Sequence, residues 1–196
     1  MSYININACR KENSKIIALS KITLAPLALL NILINTNFNQ NIKSLIIIAF
    51  TFYLVGDILL LSKKKLLFTL GLSSFLLGHI VFIFIFNLFN KSYLTLIVAF
   101  IILLYPEIQM FRLTKSAKKL KTPMRIYSLF MAIFIAFSTT TYNILLIFAT
   151  SIFTLSDSFI AKNTCSNIKK YNESHIMITY SIALIALSLS MVILNY

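Results

Sequence analysis

The chain has 196 residues, 59% of them hydrophobic and 12% charged, with five acids against eighteen Lys and Arg, and a mean hydropathy of +0.88. Soluble domains are near half apolar and about a quarter charged, so this composition excludes an ordinary soluble domain and points to a polytopic membrane protein. The formal net charge of +13 raises nucleic acid as a partner, but the basic residues sit in short loops beside apolar runs with no DNA- or RNA-binding module between them. Topology and anionic headgroups account for the charge, and membrane lipids, with no nucleic acid, are the expected partners.

In chain order, residues 1–15 read as a polar tail, without the basic, apolar and small-residue succession of a removable leader. Residues 16–196 read as one all-α transmembrane bundle. Runs of about twenty apolar residues predict seven spans, at 16–34, 42–61, 66–89, 93–111, 125–141, 142–161 and 176–194. The fifth and sixth are separated only by the polar stretch from Ser138 to Asn143, which requires a tight turn.

Fifteen of the eighteen basic residues fall on one side of these spans: Arg10, Lys11 and Lys15, the run Lys63 to Lys65, six between Arg112 and Arg125, and Lys162, Lys169 and Lys170. Lys43 and Lys91 are on the other side, and Lys21 lies within the first span. The positive-inside rule makes the rich side cytoplasmic, with the N-terminus in, and the expected location is a bacterial inner (plasma) membrane. Cys9 and Cys165 share the cytoplasmic side without a CxxC spacing, which speaks against a disulfide or zinc site.

The spans contain Lys21, Asp57, His79, Glu107 and Asp157. An ionisable side chain in a span is expensive unless paired or hydrated. Span direction puts Lys21, Asp57, Glu107 and Asp157 in the cytoplasmic third of the bilayer, joined by Arg125, Tyr127 and Tyr180, while His79 falls about 20 Å up the third span. Taken alone, Lys21 reads as a snorkelling side chain, Glu107 as a rim group beside Pro106, and His79 as interhelical glue next to the small-residue row Gly71, Ser74, Gly78. The nine Tyr and seventeen Phe read as mostly lipid-facing or interfacial. Asp57 and Asp157 are too short to snorkel. Asp57 shares a helix face with Tyr53, and Asp157 is flanked by Ser156 and Ser158, whose hydroxyls could bond it. Two carboxylates in one low-dielectric pocket do not readily ionise together, which divides them into a proton donor and an acceptor.

These residues carry a resemblance. Val55-Gly56-Asp57 ends the second span, Phe75 to Ile80 crosses the third, Pro123, Tyr127 and Met131 mark the fifth, and Phe153-Thr154-Leu155-Ser156-Asp157 lies in the sixth. In this order they resemble the lysoplasmalogenase (YhhN-like) family of polytopic membrane proteins. That family usually has eight spans, and the one expected ahead of Lys21 is here a polar tail. Family positions also differ at Lys21-Ile22, Ala149-Thr150 and Leu184.

The resemblance implies hydrolysis of the vinyl ether of a lysoplasmalogen, a lysophospholipid in the bilayer, by Asp57 and Asp157 as an acid/base pair. It implies Lys21, His79, Tyr127, Ser156 and Tyr180 as substrate-binding residues, and neither metal nor cofactor. The rival classes are a small proton-coupled transporter and a non-catalytic membrane protein. Three Gly, three Pro and no evident internal repeat make a poor match to the inverted repeats and broken helices of transporters.

Overall fold

The computed structural model of the protein describes residues 14–62, 64–89, 91–113, 121–165 and 173–195. Most of the expected tail therefore lies outside the described residues, with Cys9, Arg10, Lys11, Lys63 and the basic residues of 114–120 and 166–172. The side chains of Lys15, Lys65, Pro106, Glu107 and Cys165 lie outside them too.

Seven helices account for nearly all of the described chain: α1 Ser14–Asn35, α2 Gln40–Leu60, α3 Lys65–Leu88, α4 Tyr93–Leu113, α5 Lys121–Thr139, α6 Ile144–Cys165 and α7 Glu173–Leu194. Each overlaps one of the seven predicted spans. Five of them (α2, α3, α5, α6 and α7) are long and apolar enough over their described residues to cross a membrane, and α1 and α4 contribute shorter apolar segments, Lys21–Asn35 and Tyr93–Leu104. The molecule is an all-α polytopic bundle and an integral membrane protein. Hydrocarbon offers no partner for backbone polar groups, so helices that satisfy themselves internally are the stable form of such runs. Their hydroxyls follow suit: Thr51, Ser73 and Ser181 each bond a carbonyl one turn back.

Packing closes a ring in the order α1, α2, α3, α5, α6, α7, with α4 outside it, chiefly against α5. Outward faces carry large apolar side chains, among them Leu30, Ile48, Phe84, Ile101, Phe148 and Ile185, a surface fit for lipid and far too apolar for water. α2 and α3 approach most closely. A methyl group built on Gly78 would lie 2.5 Å from the Tyr53 ring and 3.1 Å from the Ala49 carbonyl, and one on Gly56 would lie 2.7 Å from the Phe75 ring. Ser74 also donates to the Phe52 carbonyl at 2.6 Å.

Inside the ring, part of the aromatic set departs from the expectation that most Tyr and Phe face lipid or the interface. Phe50, Tyr53, Phe75, Phe82, Phe86, Phe134 and Phe153 are all buried and form a continuous plug of ring contacts between 5.4 and 6.4 Å from centroid to centroid. The cause is packing volume: six helices arranged in a ring leave a centre that large aromatic rings fill to native density.

The tight turn between α5 and α6 has a specific construction. Tyr142 adopts φ 55°, and Asn143 then starts α6 by accepting from Leu146 N at 3.1 Å while its amide donates to the Ser190 carbonyl at 3.1 Å. The α3–α4 connection joins the same end through Lys91 N and the Thr140 carbonyl at 2.9 Å.

Candidate active site

At the other end of the bundle, where α1, α5 and α7 begin and α2 and α6 finish, the ionisable residues converge. Asp57 lies in the last turn of α2 and is fully buried (0% exposed), and Tyr180 from α7 donates to its Oδ2 at 2.7 Å. Lys21, about two turns into α1, brings its Nζ to 3.9 Å from Oδ1 of the same carboxylate with its side chain only 14% exposed. Snorkelling is therefore not what Lys21 does: the lysine is turned inward as the counter-charge of Asp57. Three helices, α1, α2 and α7, are pinned through one carboxylate.

Asp157 has a parallel arrangement in α6. Tyr127, from the second turn of α5, donates to its Oδ2 at 2.6 Å. The flanking serines do not serve it as the sequence suggested. Ser156 donates to the Ile176 carbonyl of α7 at 3.1 Å and Ser158 to the Thr154 carbonyl at 2.9 Å, because a serine in a helix finds a backbone carbonyl more easily than the side chain of its own neighbour. Each carboxylate is thus held by a phenol from another helix, Asp157 by its ring neighbour α5 and Asp57 by α7, which lies beyond α1 in the ring.

The two halves meet over the aromatic plug. Tyr53 sits one turn before Asp57, Phe153 one turn before Asp157, and their rings are 5.4 Å apart. The Tyr180 ring packs edge-on against Phe153 at 5.6 Å and Phe75 at 6.2 Å. Asp157 lies within electrostatic reach of Asp57, Lys21 and Tyr53, so one layer holds both acids, the lysine and three phenols. Burial makes such interactions strong, because little water screens them.

His79 belongs to the same cluster, which its depth alone did not suggest. Its ring lies 5.2 Å from Tyr53, 4.6 Å from Phe134, 4.9 Å from Phe153 and 6.2 Å from Tyr127. The Phe75 carbonyl is close to it, yet neither ring nitrogen makes a hydrogen bond, and the Tyr53 hydroxyl and Asp57 Oδ1 are likewise without one. The small-residue row beside it brings α2 and α3 together through Gly78 and Ser74, and His79 joins neighbouring helices by ring packing and not by hydrogen bonds. Among the described residues, no three His, Cys, Asp or Glu side chains group as metal ligands.

A cavity of about 110 Å³ opens beside this layer between α3, α4, α5 and α6. Asp157 and Tyr127 are on its wall with Ser128, Thr154 and Ser158, and its other lining is apolar, from Phe68 and Leu72 through Met131 and Ala132 to Ile135.

The family model for the YhhN family matches residues 16–191, nearly the whole chain. The chain belongs to the YhhN family. This family includes lysoplasmalogenases and is linked to hydrolase activity. No curated protein and no solved structure matches the chain. In this YhhN bundle the matched segment carries all the converging residues, Lys21 to Tyr180. Tyr53 is the member of the layer that the sequence assigned no role, although its position four residues before Asp57 put it on the same helix face.

Proposed function

We propose that the protein is a lysoplasmalogenase: it cleaves the vinyl ether of a lysoplasmalogen with water, giving a fatty aldehyde and a glycerophospho-base, with Asp57 and Asp157 as the paired carboxylates. The observation that carries this reading is the pair itself, two acids in one layer, Asp57 buried and Asp157 half-buried, each oriented by a tyrosine at 2.6–2.7 Å.

The chemistry asks for what this layer contains. A carboxylic acid gives its proton to the β-carbon of the vinyl ether, where the π electrons form the new C–H bond and the ether oxygen shares the positive charge as an oxocarbenium ion. A carboxylate close by stabilises that cation, as in glycoside hydrolysis. Water then adds to the carbon bearing the oxygen, and its released proton restores the acid. The hemiacetal transfers its hydroxyl proton to the departing oxygen as the C–O bond breaks, leaving aldehyde and alcohol. One water is consumed, and no oxidant or reductant is needed.

The fifteen basic residues on one side support an orientation with this layer toward the cytoplasm, where the headgroup of a single-chain lipid would sit at the interface. The aromatic plug occupies the centre of the ring, which favours an enzyme over a carrier with an axial path.

The test is release of fatty aldehyde from a lysoplasmalogen by purified protein in detergent, with an ester-linked lysophospholipid as control. Turnover is expected on the vinyl ether alone, and Asp57→Asn and Asp157→Asn should each lose most of it. Near wild-type turnover in either variant refutes the pairing.

A further inference from the structure

The two carboxylates are not equivalent toward the cavity. Asp57 is fully buried against Lys21 and Tyr180, whereas Asp157 is partly exposed and stands on the cavity wall beside Tyr127. Apart from the polar groups on that wall the cavity is lined by Leu, Ile, Met, Phe and Ala side chains, and an apolar space of this kind takes hydrocarbon in preference to water.

Its shape narrows the choice of occupant. Along α5 the lining runs from Met124 to Ile135, about 16 Å at the rise of an α-helix. α5 packs on both α3 and α6, and the cavity between them, about 110 Å³, is too small for two chains. The fourth wall is Leu103 of α4, the helix outside the ring, whose Ile97, Val98, Ile101 and Ile102 all face outward. The cavity therefore lies at the periphery, behind the helix least engaged with the rest of the bundle.

We infer that this cavity binds the single hydrocarbon chain of a lysolipid entering sideways from the bilayer past α4, and that Asp157 is the acid that meets the vinyl ether and protonates its β-carbon. The chain extends from Asp157 toward Ile135, and Ala132 is the small residue that keeps its path open. Asp57 does not touch the substrate: it holds Lys21 and Tyr180 and contributes the second charge of the layer. The assignment of the proton donor rests on the reaction proposed above. The chain site stands without it.

The experiment uses the full chain in lipid nanodiscs and a saturated 1-O-alkyl lysophosphatidylethanolamine carrying a diazirine in mid-chain, which binds as the substrate would and cannot be hydrolysed by this route. After irradiation, labels are expected on cavity residues such as Leu72, Met131 and Ile135. Labelling should fall at least fivefold in Ala132→Phe and be unchanged in Leu129→Phe, whose side chain points outward from the same helix. Labels confined to outward-facing residues, or unaffected by Ala132→Phe, overturn the chain site, and the wild-type label map decides this even if Ala132→Phe does not fold. Asp157→Asn should keep the label while losing at least a thousandfold in turnover; retention of a tenth of the turnover overturns its role as donor. A wild-type protein that takes the probe into the cavity yet releases no aldehyde from lysoplasmalogen would sink the proposed reaction and leave the chain site standing.

Discussion

Replacing Lys21 by Met keeps the length and most of the apolar stem of the side chain and removes the counter-charge of Asp57. At 3.9 Å and an effective dielectric of about 20, the attraction lost is about 4 kcal/mol. Removing one partner of a buried pair costs about 3–5 kcal/mol, because the other is left buried and charged. Lys21→Met should therefore destabilise the fold by about that amount, whereas Asp57→Asn should cost less, since the freed lysine lies near the end of the bundle and can reach the interface. The double variant carries neither charge and should recover most of the loss, giving a coupling of about 2–4 kcal/mol. The chain has no Trp, so far-ultraviolet circular dichroism in detergent, titrated with dodecyl sulfate, is the suitable measurement. A double variant no more stable than Lys21→Met, or a coupling below about 0.5 kcal/mol, the level expected of independent sites, would refute the inward-turned lysine.

Tyr127→Phe deletes the 2.6 Å hydrogen bond to Asp157; a bond of this type contributes about 1.5–3 kcal/mol, so kcat on lysoplasmalogen should fall roughly 10- to 100-fold with KM changed less than threefold, and an unchanged kcat would show that Asp157 needs no such orientation. Gly78→Ala forces a methyl group against the Tyr53 ring and the Ala49 carbonyl and should cost about 1–3 kcal/mol of stability, more than Gly71→Ala, where the nearest atoms, on Leu60 and Leu59, are no closer than 3.1 Å; equal losses by circular dichroism would contradict the close α2–α3 approach.

Much of this architecture was legible in the sequence, and the exceptions have a common cause. Span positions came directly from apolar runs, and even the weak break near Thr140 proved a turn, because polar backbone must leave hydrocarbon somewhere. The depth of Lys21, Asp57, Tyr127, Asp157 and Tyr180 could be counted from helix ends. What could not be counted was azimuth. Lipid and protein core are about equally apolar, so the pattern along a membrane helix does not separate its inner face from its outer one. Tyr53, Phe134 and Phe153 look no different in the sequence from Phe84 or Phe148, yet the first three are buried in the plug and the last two face outward. The same blindness hid the two tyrosine–aspartate bonds, each of which joins residues on different helices, 30 and 123 positions apart.

The spacing of the partners of Asp57 also bears on how the chain enters the bilayer. Its tyrosine arrives 123 residues later, about 6–25 s at ordinary rates of synthesis, whereas its lysine belongs to the helix immediately before it. The hairpin formed by α1 and α2 thus brings the counter-ion of Asp57 with it, so this buried acid can be integrated already paired. The phenol is added when α7 is inserted, so the orientation of this carboxylate is completed only once the last helix has been made, and a nascent chain lacks a finished acid layer while it is still being assembled.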